Sequence, residues 1–234
     1  MPDLQTGFVD LPVDGAPMRS YWARPAAPGP RPGLLVLPEA FGVNAHIRDV
    51  TERFAREGYV ALAPELFHRS APAGWEGSYT DFAAVMPHYQ ALTDAGLRAD
   101  MAAAHAWLRG PGGAPDVSAV GFCLGGRAAF LAAAELTLKA AVSFYGGGIA
   151  PSLLDRAPKI GAPILLVWGG LDKHITPEAV AAVSKSLRDA GKPFVEAVFA
   201  AGDHGFHCDA RASYHAASAA QAWALTLQFL KAPA

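Results

Sequence analysis

The amino-acid sequence predicts an α/β protein, with a mostly parallel central sheet carrying helices on both faces. Three observations lead there: short uninterrupted apolar runs recur along the chain, amphipathic segments of helical length separate them, and Gly or Pro stands at many of their ends. A strand that is apolar at every position is buried on both faces. Strands that alternate with helices build parallel crossovers.

Taken in order, the strand candidates are Gly33 to Leu37 (GLLVL), Tyr59 to Ala63 (YVALA), Val117 to Phe122 (VSAVGF), Ala140 to Tyr145 (AAVSFY), Ile164 to Trp168 (ILLVW) and Phe194 to Phe199 (FVEAVF). Helical patterns lie between and after them, at Ala45 to Arg56, Thr93 to Arg109, Leu124 to Leu136, Pro177 to Ala190 and Asp209 to Leu230. Their boundaries follow the breaking residues. The Pro-rich stretch Pro25 to Pro32 (PAAPGPRP) reads as a loop, with room for no more than an edge hairpin ahead of it. Residues 69–82, beginning RSAPAGWEG, read as an irregular loop or mobile lid. No internal repeat is present.

Of the 234 residues 52% are hydrophobic, and the 24 Gly and 19 Pro are spread along the whole length, a profile of one globular domain over residues 1–234. Nineteen basic and twenty-one acidic residues give a formal charge of -2, without a Lys/Arg cluster that could follow a phosphate backbone or an anionic bilayer. Neither nucleic acid nor membrane is expected as a partner; a small-molecule substrate is, on a monomer or homodimer. The start MPDLQTGFVD has neither the basic opening nor the apolar core of a signal peptide, so the expected location is cytoplasmic. In that reducing compartment Cys123 and Cys208 are expected as free thiols. No cofactor is expected. His207 and Cys208 lie close to His204, but a zinc site needs three or four ligands at defined spacing, and no second His/Cys pair completes one.

Ligands of parallel α/β sheets sit at the carboxyl ends of the strands. The turns there hold Glu39 (PEAFG), Glu65 (PELF), Cys123 (GFCLGG), Asp172 (GGLDKH) and His204 (AGDHGF). Cys123 is fenced by Gly121 and Gly125 directly after an apolar run, the pattern of a nucleophile on a sharp strand-to-helix turn. A helix beginning at Leu124 would aim its N-terminus at the thiol, which favours the thiolate and supplies an N–H for an oxyanion. The chain order Cys123, Asp172, His204 is that of nucleophile, acid and base in such folds, the acid holding one ring nitrogen so that the other faces the thiol. Taken singly, Asp172 reads equally as a turn residue and His204 as a cap. A carboxylate at Glu39, after a buried strand, needs a hydrogen-bonding partner, which could be the thiol site or Arg127. Tyr145 fits a pocket wall or a core aromatic, whereas Trp75, Tyr79, Phe82 and Trp168 fit core or lid packing.

The motifs PEAFGVN, GFCLGGRAA, GGLDKHIT and AGDHGFH, in this order, resemble those of the dienelactone hydrolase family of α/β-hydrolases, whose nucleophile is a cysteine; the resemblance runs from Pro12 to Leu230. It implies the α/β-hydrolase fold, Cys123 as nucleophile, His204 as base, Asp172 as its orienter, and Glu39 as a carboxylate that switches the cysteine between thiol and thiolate. The N–H groups of Leu124 and Ala40 would form the oxyanion hole, and Phe41, Tyr145, Phe206 and Cys208 would touch substrate. In the family two arginines grip a substrate carboxylate, one of them four residues after the catalytic His. Here that position is Cys208, and the other falls near Phe82, with Arg69, Arg98 and Arg211 as possible substitutes. The implied activity is hydrolysis of an ester or lactone through an acyl-enzyme thioester. The alternatives are a thioesterase or general carboxylesterase and, in a different class, a non-catalytic binding or redox-sensing protein.

Overall fold

A computed structural model describes residues 3–232. Eight strands form a mostly parallel sheet in the order β1-β2-β4-β3-β5-β6-β7-β8. The chain falls into two compact units, one ending at Ser118 and the other beginning at Ala119.

The first unit opens with a hairpin of β1 (Leu4–Val13) and β2 (Ala16–Pro25), paired antiparallel. Its turn is Asp14-Gly15, with φ of 50° and 80°, the left-handed conformation that Asp-Gly pairs adopt in two-residue hairpin loops. β3 (Gly33–Leu37) and β4 (Val60–Pro64) are buried at every position and pair parallel to one another, while β2 joins β4 antiparallel. Between β3 and β4 runs α1 (Ala45–Arg56), capped by Asn44, whose side chain accepts the Ile47 N–H at 3.1 Å. After α2 (Phe82–Ala91) comes α3 (Asp94–Arg109), capped by Thr93 through Gly96 N–H at 3.0 Å. Such caps satisfy first-turn donors that have no helical acceptor. Both α1 and α3 pack on the strands of this unit.

Two aspects of the first unit differ from expectation. The hairpin carries more structure than the apolar runs disclosed, because β1 is half exposed and its sequence alternates rather than staying apolar. α2 is not among the expected helices: Pro87 lies inside it and only Val85 is buried, so neither propensity nor periodicity marks it. Arg69 is committed within this unit. Its Nη1 donates to Asp100 Oδ2 at 2.9 Å and its Nη2 to Asp14 Oδ2 at 2.6 Å, while His68 Nε2 lies 3.0 Å from Asp100 Oδ1. Burial raises the Asp100 carboxyl above its ordinary value, against the opposing pull of His68 and Arg69.

The strand β5 (Val117–Phe122) crosses the division between the units. Beyond it lie α4 (Leu124–Glu135), β6 (Ala141–Phe144), a 3-10 turn at Leu154–Lys159, β7 (Ile164–Gly169), α5 (Pro177–Asp189), β8 (Phe194–Phe199) and α6 (Ala216–Lys231). β5 to β8 are parallel neighbours, and β6 and β7 are apolar and buried almost throughout, as their sequence requires. β8, at the edge of the sheet, is half exposed. The last helix is shorter than its expected span from Asp209. Before it the chain makes successive turns, Cys208 N–H to the Gly205 carbonyl, Arg211 N–H to Cys208 and Tyr214 N–H to Arg211, and His215 N–H returns to the Phe206 carbonyl. Among the described residues no helix is long and apolar enough to cross a membrane.

Candidate active site

The site in the second unit is built from three strand ends. β5 turns into α4 at Cys123, whose φ of 55° and ψ of -112° are a costly conformation for a residue with a side chain. The turn is held by Cys123 N–H to the Phe144 carbonyl at 3.0 Å and by Arg127 N–H to the Cys123 carbonyl at 3.1 Å. It closes so tightly that a Cβ at Gly121 would overlap the Gly125 carbonyl, and one at Gly126 would overlap the Phe144 carbonyl. The glycines therefore permit the strained turn, and the turn leaves the thiol half-buried rather than enclosed. Leu124 opens α4, so its N–H points from a helix start with no helical acceptor.

Asp172 stands just past β7, in a loop whose own backbone grips it: Oδ1 accepts the N–H of His174 at 2.8 Å and of Ile175 at 3.2 Å. Oδ2 is left for His204, whose Nδ1 lies 2.7 Å away. The other ring nitrogen, Nε2, lies 3.1 Å from Cys123 Sγ. Thiol, imidazole and carboxylate thus form one continuous hydrogen-bonded chain from residues 49 and 32 positions apart in sequence. The side chains of His204 and Asp172 are 11% and 2% exposed, respectively, so little water screens the chain.

Burial would depress the His204 imidazole, but the hydrogen bonds to Asp172 and Cys123 and the electrostatic pull of both reverse this and push it up to about 10. Asp172 moves the opposite way: burial, which raises a carboxyl, is outweighed by the His204 hydrogen bond and charge and by the two loop N–H groups, and its value falls. Asp172 and His204 each favour the charged form of the other, so the geometry pairs an imidazolium with a carboxylate beside the sulfur of Cys123.

The remaining expected residues are placed as follows. Tyr145 follows β6 with φ of 36°, is fully buried, and sets its ring 5.2 Å from that of His204. Phe206 is enclosed in the core and packs edge-on to Tyr145 at 5.6 Å. Cys208 is enclosed as well, with 0% exposure. Arg211 lays its guanidinium against Gly205, where the backbone has φ of 78° and a side chain would collide with it. In the first unit Glu39, Ala40 and Phe41 follow β3 and are all buried; Phe41 packs edge-on against Tyr79 at 4.6 Å and Phe82 at 6.3 Å. Phe82 itself is 49% exposed. Among the described residues no group of three His, Cys, Asp or Glu side chains is placed to hold a metal ion.

The family model for dienelactone hydrolases matches residues 18–233. The chain belongs to the dienelactone hydrolase family. Within reach of this family member are a protein of Escherichia coli provisionally named carboxymethylenebutenolidase, 38% identical over 239 residues that cover 96% of this chain and 86% of that one. A Synechocystis protein with the same provisional name is 37% identical over 232 residues, 94% of each chain. A crystal structure from Klebsiella pneumoniae, provisionally described as a dienelactone hydrolase, superposes with a TM-score of 0.88 at 36% identity and covers 97% of this chain and 98% of that one. The sheet of this dienelactone hydrolase family member is accordingly that of the α/β-hydrolase fold.

One residue of the site escaped the sequence reading. No role falls to His174 in the motif GGLDKH, yet it is exposed and its ring meets the His204 ring at 5.3 Å and 78°. Its position two residues after Asp172 was the available signal, because a loop that wraps its N–H groups around a carboxylate also carries its side chains past whatever that carboxylate binds.

Proposed function

We propose that this family member hydrolyses an ester or lactone of a small organic substrate with Cys123 as nucleophile, His204 as acid and base, and Asp172 as the group that orients and charges His204. The observation that carries this reading is the unbroken chain from Sγ through both ring nitrogens to the Asp172 carboxylate.

In the first half-reaction the Cys123 thiolate attacks the carbonyl carbon, and the Leu124 N–H donates to the oxyanion that forms. Collapse breaks the carbon–oxygen bond of the ester, and the departing alkoxide takes the proton of the His204 imidazolium, leaving a thioester on Cys123. In a lactone the released hydroxyl stays attached to the acyl group. In the second half-reaction neutral His204 accepts a proton from water as its oxygen attacks the thioester. The carbon–sulfur bond breaks, the acid is released, and thiolate and imidazolium are restored.

The test is a panel of esters and lactones assayed before and after iodoacetamide. Cys123 should alkylate well ahead of the enclosed Cys208, turnover should disappear with it, and Cys123→Ala should be inactive. Equal labelling of the two thiols with activity intact, or turnover by Cys123→Ala, would overturn the assignment and favour a binding or redox-sensing role.

A further inference from the structure

The segment between β8 and α6 that carries His204 is made of turns, yet it keeps Nε2 within 3.1 Å of a sulfur 81 positions earlier in the chain. Something must fasten it there. Asp203 Oδ1 accepts the His204 N–H at 2.6 Å and the Asp203 carbonyl accepts the Phe206 N–H at 3.1 Å, which shapes the turn from within. Asp172 takes the other ring nitrogen, from the loop after β7. Toward the nucleophile the fastening is His207.

His207 comes three residues after the base and is 3% exposed. Its ring stacks on that of Phe122, the residue directly before Cys123, with centroids 5.1 Å apart and planes at 25°. It also meets Phe144 at 5.2 Å and 58°, and the Phe144 carbonyl is the one that accepts the Cys123 N–H at 3.0 Å. Trp223 of α6 stacks on it too, at 6.0 Å and 28°. One imidazole thus joins the residue before the nucleophile, the residue that holds its N–H, and the helix that follows the base. Aromatic rings favour offset-stacked and edge-on contacts at centroid distances of about 4.5–7 Å, and a flat ring among flat rings has less room to turn than an aliphatic side chain. Small displacements matter here, because about 1 Å at the reacting atoms can cost on the order of a hundredfold in rate.

We propose that His207 is a positioning residue whose stacked ring sets the approach of His204 to Cys123, by locking the loop of the base onto Phe122 and Phe144. This rests on the roles proposed for Cys123 and His204. The groups around the His204 ring are Cys123, Asp172, Tyr145 and His174, and of these contacts the hydrogen bond to Cys123 is the one that depends on the tie between loop and nucleophile turn. That bond is part of what pushes the imidazole up to about 10, so weakening it lowers the pH at which His204 gives up its proton.

The experiment measures kcat and KM for a neutral ester against pH, through the basic limb, in the parent, His207→Phe, His207→Ala and Leu187→Ala, with an unfolding midpoint for each. Leu187→Ala removes a fully buried side chain of α5 instead, as a control for lost packing. His207→Phe keeps a flat ring and should retain the parent's basic limb, with kcat within about twofold. His207→Ala should lower kcat by about tenfold or more with KM nearly unchanged, and should bring the basic limb below that of the parent. Leu187→Ala should lower the midpoint and leave kcat and limb in place. Should His207→Ala fail to fold, His207→Leu, which fills the space without a ring, is read in the same way. An Ala variant with parental kcat and limb, a Phe variant as slow as Ala, or a Leu187→Ala variant that moves kcat and limb equally would overturn the proposal. Failure of the nucleophile assignment would show separately, as turnover surviving Cys123→Ala.

Discussion

Replacing Asp172 by Asn tests the electrostatics of the site most directly. The rise of His204 from 6.5 to about 10 corresponds to about 5 kcal/mol in favour of the imidazolium, net of what burial takes away. Asp172 and Cys123 supply this together; if they share it evenly, the carboxylate contributes about 2–3 kcal/mol. Asn keeps the shape and the loop N–H contacts but removes the charge. The basic limb of activity lies where His204 loses the proton it gives to the leaving alkoxide, so Asp172→Asn should bring that limb down from about 10 to about 8. Turnover near neutrality should fall by on the order of a hundredfold, because the ring is also free to present the wrong nitrogen to the thiol. Stability carries the same signature. An imidazole raised in the folded state contributes stability fully present below about 6.5, which is lost as pH climbs through about 10. The parent should therefore lose stability across that window and the Asn variant should lose less. The assays are turnover rate and denaturant midpoints against pH. A basic limb at the same pH in both proteins would refute the argument that Asp172 charges His204.

Three further outcomes are expected. Gly121→Ala places a methyl group on the Gly125 carbonyl; since backbone must move to admit it, the variant should lose about 3 kcal/mol or more and with it Cys123 alkylation selectivity, read from unfolding midpoints and labelling. Asp100→Ala leaves His68 and Arg69 without their shared carboxylate in a buried setting, so denaturation should show a loss of about 3–5 kcal/mol at an unchanged slope; a loss below about 1 kcal/mol would mean that the network is incidental. Neutral short-chain esters or lactones should exceed a carboxylate-bearing dienelactone in kcat/KM by about tenfold, equivalent to about 1.4 kcal/mol. The resemblance aligns the family's two arginines with the enclosed Cys208 and with the stretch of sequence around Phe82, and Arg69 is bound to Asp14 and Asp100. A preference for the anionic lactone would show that another cation serves the substrate.

Much of the fold was legible because its strongest elements answer to local rules. β3, β5, β6 and β7 are apolar runs, and such runs have few ways to hide from water other than as central strands. Elements whose reason is not local were missed or blurred. β1 alternates and half faces solvent, although Asp14-Gly15 was a hairpin signal in plain sight. α2 contains Pro87, and the start of α6 is set by a carbonyl of Phe206 that draws His215 back to it.

The same division runs through the site. By itself the sequence determined the order Cys123, Asp172, His204 and the small residues that a strained turn requires, because both are properties of the chain's covalent order and of which residues can enter the left-handed region. Tertiary structure alone decided that Asp172 spends one oxygen on its own loop and the other on His204, that the imidazole is pushed up to about 10, and that His174 rather than any other histidine lies against it. Those facts depend on distances of a few ångströms between segments far apart in sequence and on the exclusion of water around them. Charge and proton affinity are set by that surrounding volume, which the packing of strands and helices creates and which no stretch of sequence contains.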